Sequence, residues 1–291
     1  MARVSDYRLI PVRDKYWRVG SGALRNALTA LEGVELRDGD VLLVSEKAVA
    51  VAEGELIDER EYEPGLLARL LVLLWMRIAW GWVLGPLLGP LMDPPLRRET
   101  VRNLRRYPKR EGARHKQMIL EEFGLLHALE PVSEAGCDVG NVPGYYAAPV
   151  PASAERFARR LRERLRRERG VNVSVVVGDT DKTYELFGVL FTTIARAHPE
   201  IVSGTGILGF LIGRLLARTL GPTPVAIAGD VSVREAIRLL DAAERVRTKG
   251  AGRTVYDALE KVGDPGRLDE DFLDRFEHVP IVVARPLPRE P

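Results

Sequence analysis

Val171-Asn172-Val173-Ser174-Val175-Val176-Val177-Gly178-Asp179-Thr180-Asp181-Lys182-Thr183 is the stretch that sets the fold class. Its valine-rich run over 171–177 is short and β-branched, the pattern of a strand buried on both faces. Polar residues and a glycine then close the strand at Gly178-Asp179-Thr180-Asp181. Before it, Ser153–Arg169 predicts an amphipathic, arginine-rich helix, with Ser153 at the N-cap, Glu155 in the first turn and Gly170 as the stop. Beyond it the pattern predicts helices over Ile207–Leu220, Ser232–Arg245 and Thr254–Val262, and strands over Pro224–Ala228 and Pro280–Ala284. Toward the N-terminus, Tyr7–Val12 and Asp40–Val44 read as strands and Gly22–Leu31 as a short helix. Ala48–Glu53 reads as extended chain running into the turn at Gly54. Helices alternating with short buried strands give an α/β or α+β class in one continuous unit, with no repeat at a fixed period.

Composition agrees. The 291 residues are 46% hydrophobic and 29% charged, and carry a net charge of only +2, which excludes a disordered chain or a polycationic nucleic-acid binder. Of the 43 basic residues only seven are lysines, a bias from which no function follows. The lone cysteine, Cys137, excludes an internal disulfide framework and fits a reducing compartment, read as the cytoplasm. The N-terminal segment shows no apolar core of a signal peptide.

The segment Leu70–Met92 reads LLVLLWMRIAWGWVLGPLLGPLM, with Arg77 as its sole charge, long enough for a membrane span of about 20 residues. An arginine at mid-depth and the pairs Gly85-Pro86 and Gly89-Pro90 oppose a span. The pattern favours a helix over about Pro64–Val83, buried against the body or in a dimer interface, followed by an irregular apolar loop. A membrane-surface contact through 66–92 and a true span are the alternatives. The basic passage LRRETVRNLRRYPKREGARHK that follows reads as a charged helix ending before Pro108, a solvated face rather than a nucleic-acid patch, since it has almost no aromatic residues for stacking.

Candidate chemistry gathers at a few places. Asp179, Thr180, Asp181, Lys182 and Thr183 offer carboxylates, hydroxyls and an amine at a strand exit, where hard cations and phosphate find oxygen ligands and positive charge. An Asx-turn with surface charges would look similar. The stretch Ser133-Glu134-Ala135-Gly136-Cys137-Asp138-Val139-Gly140-Asn141-Val142-Pro143-Gly144 is either a ligand-bearing loop or a turn-rich connector. Lys249-Gly250-Ala251-Gly252-Arg253-Thr254 opens a helix and could hold an anion through its backbone N–H groups and Arg253, although it lacks the ending of a phosphate-binding P-loop. Gly204-Thr205-Gly206-Ile207-Leu208-Gly209 matches a dinucleotide fingerprint only as a string, without the context of strand and acidic residue. The four histidines show no metal-binding spacing, and Cys137 reads as an inert buried thiol.

Taken in order, Asp40-Val41-Leu42-Leu43-Val44-Ser45-Glu46-Lys47, Ala52-Glu53-Gly54, Ala135-Gly136-Cys137-Asp138-Val139-Gly140-Asn141 and Asp179-Thr180 resemble the coenzyme F420-0:L-glutamate ligase (gamma-glutamyl ligase) family from about Pro11 to Gly229. The resemblance implies an α+β fold of two lobes in an intertwined homodimer. One ligase-like unit would take residues 1–61 and 108–291, and 62–107 would add the apolar helical segment and the basic helix. It also implies a divalent metal, Mg or Mn, and GTP as co-substrate, with ATP an alternative. In the implied reaction a carboxylate is activated as an acyl phosphate and attacked by the amine of an amino acid, glutamate in the family. The family's metal and phosphate positions fall on Asp138, Asn141, Asp179 and Thr180, its nucleotide-contacting segment on Pro11 and Val12, and its lysine on Lys47.

The chain departs from the family pattern at several points. Val51 stands where many members have a second lysine, the arginine after the Asp-Thr pair is missing, and Glu134 replaces an asparagine. Lys182 and Arg253, with Gly250 and Gly252, are then the residues expected to restore positive charge and anion binding. A divergent amide ligase is the leading expectation. A phosphate- or nucleotide-binding protein of the same fold, or a membrane-associated scaffold, are the alternatives.

Overall fold

The computed structural model describes residues 2–4, 6–132, 134–248, 250–252 and 263–288. The chain is a mixed α+β protein that divides into two compact units, Met1–Ile57 with Asp138–Thr180 and Gly221–Pro291, and Asp58–Cys137 with Asp181–Leu220. The boundary thus passes between Cys137 and Asp138 and again between Thr180 and Asp181, and the expected segment 62–107 lies inside the second unit.

The strands are β1 (Ala2–Val4), β2 (Tyr7–Asp14), β3 (Val41–Ser45), β4 (Ile57–Asp58), β5 (Tyr146–Ala147), β6 (Ser174–Leu186), β7 (Val189–Thr192), β8 (Arg218–Ala228) and β9 (His278–Pro286). In the first unit the order is β1-β2-β9-β3-β6, with β8 also pairing β6. The β3/β6 pair is parallel, from Val41 opposite Ser174 to Ser45 opposite Gly178, while β9 runs antiparallel to both β2 and β3. Leu42, Leu43, Val44, Val175, Val176, Val177 and Ile281 to Ala284 are all at 0% exposure, so these strands are covered on both faces, as their unbroken apolar runs require. On one face Leu43 and Val176 pack with Ala236, Leu239 and Leu240 of the helix Val233–Glu244, whose N-cap Ser232 accepts from the Glu235 N–H. A Cβ on Gly178 would lie 2.4 Å from Leu240 Cδ1, so the close approach of this helix dictates glycine there.

Two expectations change in this unit. Ala48–Glu53 is not extended but belongs to a helix, Glu46–Glu53, stopped by Gly54 in the left-handed region at φ 72°. Its alternation of alanine and valine imitates a strand, yet Val49, Ala50, Val51 and Ala52 are all buried, and alanine favours the helix once packing covers every side. Glu53 reaches back to accept from the Ala23 N–H at 2.9 Å, which caps the helix Ala23–Ala30. The valine strand also does not end at Gly178–Asp181. β6 continues to Leu186, because Thr183–Leu186 pairs with β7 in a hairpin of the second unit.

The second unit is mostly helical. The expected break after Val83 is absent, and Leu66–Leu91 is one continuous 26-residue helical run. It is α-helical over Leu66–Leu70, π-helical over Leu71–Leu84, α-helical again over Gly85–Leu88 and 3-10 over Gly89–Leu91. Pro86 and Pro90 each stand at the second residue of a new helical turn type, so the run changes its turn there rather than ending. The Gly85 N–H donates to Trp80 O with a Cβ-sized gap of only 2.4 Å, so glycine is required at the junction. Met76 and Trp80 pack with Met92, Leu104, Ile207 and Phe210, while much of the opposite side, including Leu74, Trp82, Leu87 and Leu91, stays exposed. Burial against the body therefore covers only part of this helix. Helices Arg98–Arg105, Arg110–Glu122 and Gly206–Leu215 complete the unit. In the last, Gly206 takes φ 56° and a Cβ there would meet Leu126 backbone at 2.7 Å, so the glycines of the 204–209 string serve close packing.

Candidate functional site

Parallel strands deliver their C-terminal ends to the same edge of a sheet, and that edge is where open α/β sheets hold ligands. Here β3 passes straight into the helix Glu46–Glu53, so Glu46 and Lys47 stand at the edge. On β6, directly beyond the Ser45–Gly178 pair, come Asp179 and Thr180. Asp179 is 4% exposed and Thr180 is exposed. The loop after Cys137 supplies Asp138, held by two backbone hydrogen bonds to Ala148 at 2.9 and 2.7 Å.

These groups interact. Lys47 Nζ lies 2.8 Å from an Asp138 carboxylate oxygen. Burial alone would lower the Lys47 ammonium, but Asp138, Glu46 and Asp179 together hold it above its ordinary value. Glu46 is buried, and burial followed by the charge of Asp138 pushes its carboxyl up to about 8, against the opposing pull of Lys47 and Arg247. Arg247 is fixed by hydrogen bonds to Leu43 O at 3.1 Å and Glu244 at 2.7 Å.

Asn141 links this loop to the glycine-rich turn. Its backbone is left-handed, at φ 58°, its Oδ1 accepts from the Ala251 N–H at 2.7 Å, and its Nδ2 donates to Gly252 O at 2.9 Å. A Cβ on Gly250, which has φ 54°, would come within 2.5 Å of Asn141 Oδ1, so this clamp needs glycine. The Tyr16 hydroxyl donates to Asn141 O at 3.2 Å.

The first unit therefore brings together Lys47, Asp138, Asn141, Asp179, Thr180, Gly250 and Gly252 of the residues expected from sequence. Pro11 and Val12 stand on β2 opposite Val282 and Ile281, with β9 between them and β3, and the Val12 side chain is buried in the core. Lys182, half-buried, belongs to the second unit, where its carbonyl accepts from Thr192 Oγ1 at 3.0 Å. Arg253, Ser133, Lys249 and the expected helix Thr254–Val262 lie outside the described residues. Glu46 and Arg247 are the site residues that sequence reasoning missed. Glu46 was legible once the segment after Ser45 is read as a buried helix, because its first residue then cannot reach water. Nothing in the sequence marked Arg247.

Glu134, only four residues before Asp138, belongs instead to a buried ion cluster of the second unit. It pairs with Lys116 Nζ at 3.0 Å and His115 Nε2 at 3.2 Å and accepts from the Tyr107 hydroxyl at 3.0 Å, while Nδ1 of His115 meets Glu59. Burial would raise the Glu134 carboxyl, but Lys116 and His115 outweigh it and bring it down to about 2. His115, opposed by burial, is held up to about 10 by Glu134 and Glu59. Among the described residues no group of three or more His, Cys, Asp or Glu could hold a metal ion; the first-unit edge offers two carboxylates, Asp138 and Asp179.

The model of the F420-0:Gamma-glutamyl ligase family matches residues 19–232, a span containing the Lys47 junction, the Asp138–Asn141 loop and Asp179-Thr180. Uncharacterized protein MJ1361 of Methanocaldococcus jannaschii is 37% identical over 290 residues, covering 96% of each chain. Coenzyme F420:L-glutamate ligase of Methanopyrus kandleri is 29% identical over 191 residues, 65% of this chain and 66% of that protein. With most of its length matched by the family model, and the motif residues gathered at one sheet edge, this chain belongs to the F420-0:gamma-glutamyl ligase family.

Proposed function

We propose that the protein is an acid–amino acid ligase that uses a divalent metal and GTP to join an amino acid, glutamate or a relative, to a small-molecule carboxylate. The observation that carries this reading is the set of Lys47, Asp138 and Asp179 at the carboxyl edge of the parallel β3/β6 pair. Two carboxylates with the Thr180 hydroxyl suit Mg²⁺ or Mn²⁺, ions that take oxygen ligands and keep water or phosphate oxygens in the remaining positions, and Asn141 Oδ1 would join them through the lone pair that Ala251 N–H leaves free. Glu46 is raised first by burial and then by the charge of Asp138, and a cation beside Asp138 would offset that second contribution. When bound, the metal supplies positive charge to phosphoryl oxygens.

In the proposed reaction a carboxylate oxygen of the acceptor attacks the γ-phosphorus of GTP. The acyl phosphate forms and GDP leaves. The amine of the second substrate, having lost a proton, attacks the carbonyl carbon, and inorganic phosphate departs as the amide forms. Lys47 steers and neutralises phosphoryl oxygen, and Gly250 and Gly252 present backbone to the nucleotide. Arg253 is the residue proposed to supply the charge that the family's missing arginine and lysine would give. The same reading carries a two-lobed homodimer working in the cytoplasm, with ATP as the alternative donor.

The test pairs binding with turnover. Mn²⁺ should raise the melting temperature of the wild type, by about 2.7 kcal/mol of stabilisation at a hundredfold excess over Kd, and leave Asp179→Asn almost unmoved. With GTP, Mn²⁺, glutamate and a pool of small carboxylates, the wild type should release phosphate and form a product heavier by one amino-acid residue. In calorimetry, Arg253→Ala should weaken nucleotide binding by about 1.5–3 kcal/mol. Equal Mn²⁺ shifts in both proteins would remove the metal site, and nucleotide binding without phosphate release would leave a binding protein of the same fold.

A further inference from the structure

The helix Leu66–Leu91 exposes a continuous apolar stripe. Leu66, Leu70, Leu74, Ile78, Val83, Leu87 and Leu91 recur every four or five residues, the spacing of one face on a helix with widened π turns, and all are exposed. Trp82 beside them is 63% exposed and Leu91 70%. Only a third of the most apolar window is buried within the chain. A core helix would be mostly buried, and contiguous exposed apolar surface of this length marks a contact with something else.

Charge says what that something is. Between residues 97 and 110 stand Arg97, Arg98, Arg102, Arg105, Arg106, Lys109 and Arg110 against a single acid, Glu99. The helix Arg98–Arg105, which bears three of them, is fastened to the apolar one. Arg105 Nε donates to Gly81 O at 2.7 Å, its guanidinium stacks 4.1 Å from the Trp82 ring, and Arg77 Nε donates to Arg105 O at 3.1 Å. Among the described residues Arg97, Arg98, Arg102, Arg106, Lys109 and Arg110 form no ion pair.

We propose that this face seats on the surface of an anionic lipid bilayer, with the leucine stripe and Trp82 in the interfacial region and the arginines on lipid phosphates. An apolar face with tryptophan and a flanking basic segment is the composition of an interfacial helix. Each Arg or Lys near an anionic surface adds about 1 kcal/mol of attraction. The helix lies on the membrane and does not cross it, because its other side is committed to Met92, Leu104, Ile207 and Phe210. A second copy of the chain fits less well, since it would bring a second arginine-rich segment rather than the opposite charge.

Co-sedimentation of the purified full-length protein with large vesicles tests this. In about 0.1 M salt the wild type should pellet with phosphatidylcholine–phosphatidylglycerol vesicles at least tenfold more tightly than with phosphatidylcholine alone, and about 1 M salt, where the Debye length falls to about 3 Å, should remove that excess. Leu74→Gln with Leu87→Gln changes two exposed side chains, so it should keep the wild-type melting temperature and lose binding about tenfold or more. Arg98→Gln with Arg102→Gln and Arg106→Gln should lose the preference for anionic vesicles. A wild type that stays in the supernatant with both vesicle types overturns the proposal. So does equal binding to both, and so does a dimer that the leucine variant splits while vesicles bind neither protein, which would assign the face to a second copy.

Discussion

Glu134→Gln separates a structural carboxylate from a ligand-bearing one. The substitution keeps the shape and the Tyr107 contact but removes the charge opposite Lys116 and His115, which are buried beside it. The carboxyl is displaced from 4.5 to about 2, which by linkage is worth about 3 kcal/mol of folding free energy near neutral pH. Removing one partner of a buried pair independently costs about 3–5 kcal/mol. Both routes give a loss near 3 kcal/mol and a fall in Tm of about 6–12 °C for a chain of this size. The pH dependence has a definite sign. Glu134, with a depressed value, contributes stability above 4.5 that fades as pH falls toward about 2; His115, with a raised value, contributes stability below 6.5 that fades as pH rises toward about 10. Thermal unfolding followed by circular dichroism should therefore show the largest gap between wild type and variant at pH 5–7, narrowing toward pH 2–3. Lys116→Met with Glu134→Gln should be less destabilised than the sum of the two single changes. A variant that melts with the wild type while losing Mn²⁺ or nucleotide binding would refute the reasoning and make Glu134 a site residue.

Two further outcomes follow from close contacts in the first unit. Gly178→Ala places a Cβ against Leu240 and should cost about 1–3 kcal/mol in chemical denaturation, with Leu240→Ala in the same chain recovering part of the loss; an unchanged midpoint would mean the helix Val233–Glu244 does not sit as close as described. Asn141→Ala removes both side-chain bonds to Ala251 and Gly252, so it should destabilise by about 1–2 kcal/mol and weaken nucleotide binding as well, and calorimetry that finds binding intact would detach the glycine turn from the site.

Much of the sheet was legible, because a strand buried on both faces has little choice of composition. Val175–Val177, Leu42–Val44 and Ile281–Ala284 announce themselves by continuous β-branched or aliphatic runs, all now at 0% exposure. The misreadings have separate physical causes. At Ala48–Glu53 full burial erased the periodicity that would tell helix from strand. At Gly178 the glycine reads as a chain break, whereas it is a packing requirement imposed by Leu240. At Pro86 and Pro90 the rule that proline ends a helix gave way to a change of helical turn type.

The site shows the limit of sequence adjacency more sharply. Glu134 and Asp138 are four residues apart and read as one ligand-bearing loop, yet the chain passes from one unit to the other between them. One carboxylate is neutralised inside a buried ion cluster, and the other faces Lys47 at the edge of the sheet. The parallel pairing of β3 with β6 sets Ser45 opposite Gly178 and so brings Lys47 and Asp179 to the same edge, while Asp138 joins them through its pairing with Ala148 and its contact with Lys47. Motif order could reveal that these residues belong together, since it preserves which segments a family keeps. It could not reveal Glu46 and Arg247, whose part in the site comes only from burial beside those charges. The raised Glu46 carboxyl follows from that enclosure. A carboxyl at the first turn of an exposed helix would be ionised by solvent and by the helix N-terminus, whereas here water is excluded and Asp138 opposes its charge. With Glu46 held largely neutral near pH 7, Asp138 and Asp179 stand against Lys47 and Arg247, so burial and not motif order decides the charge at this edge.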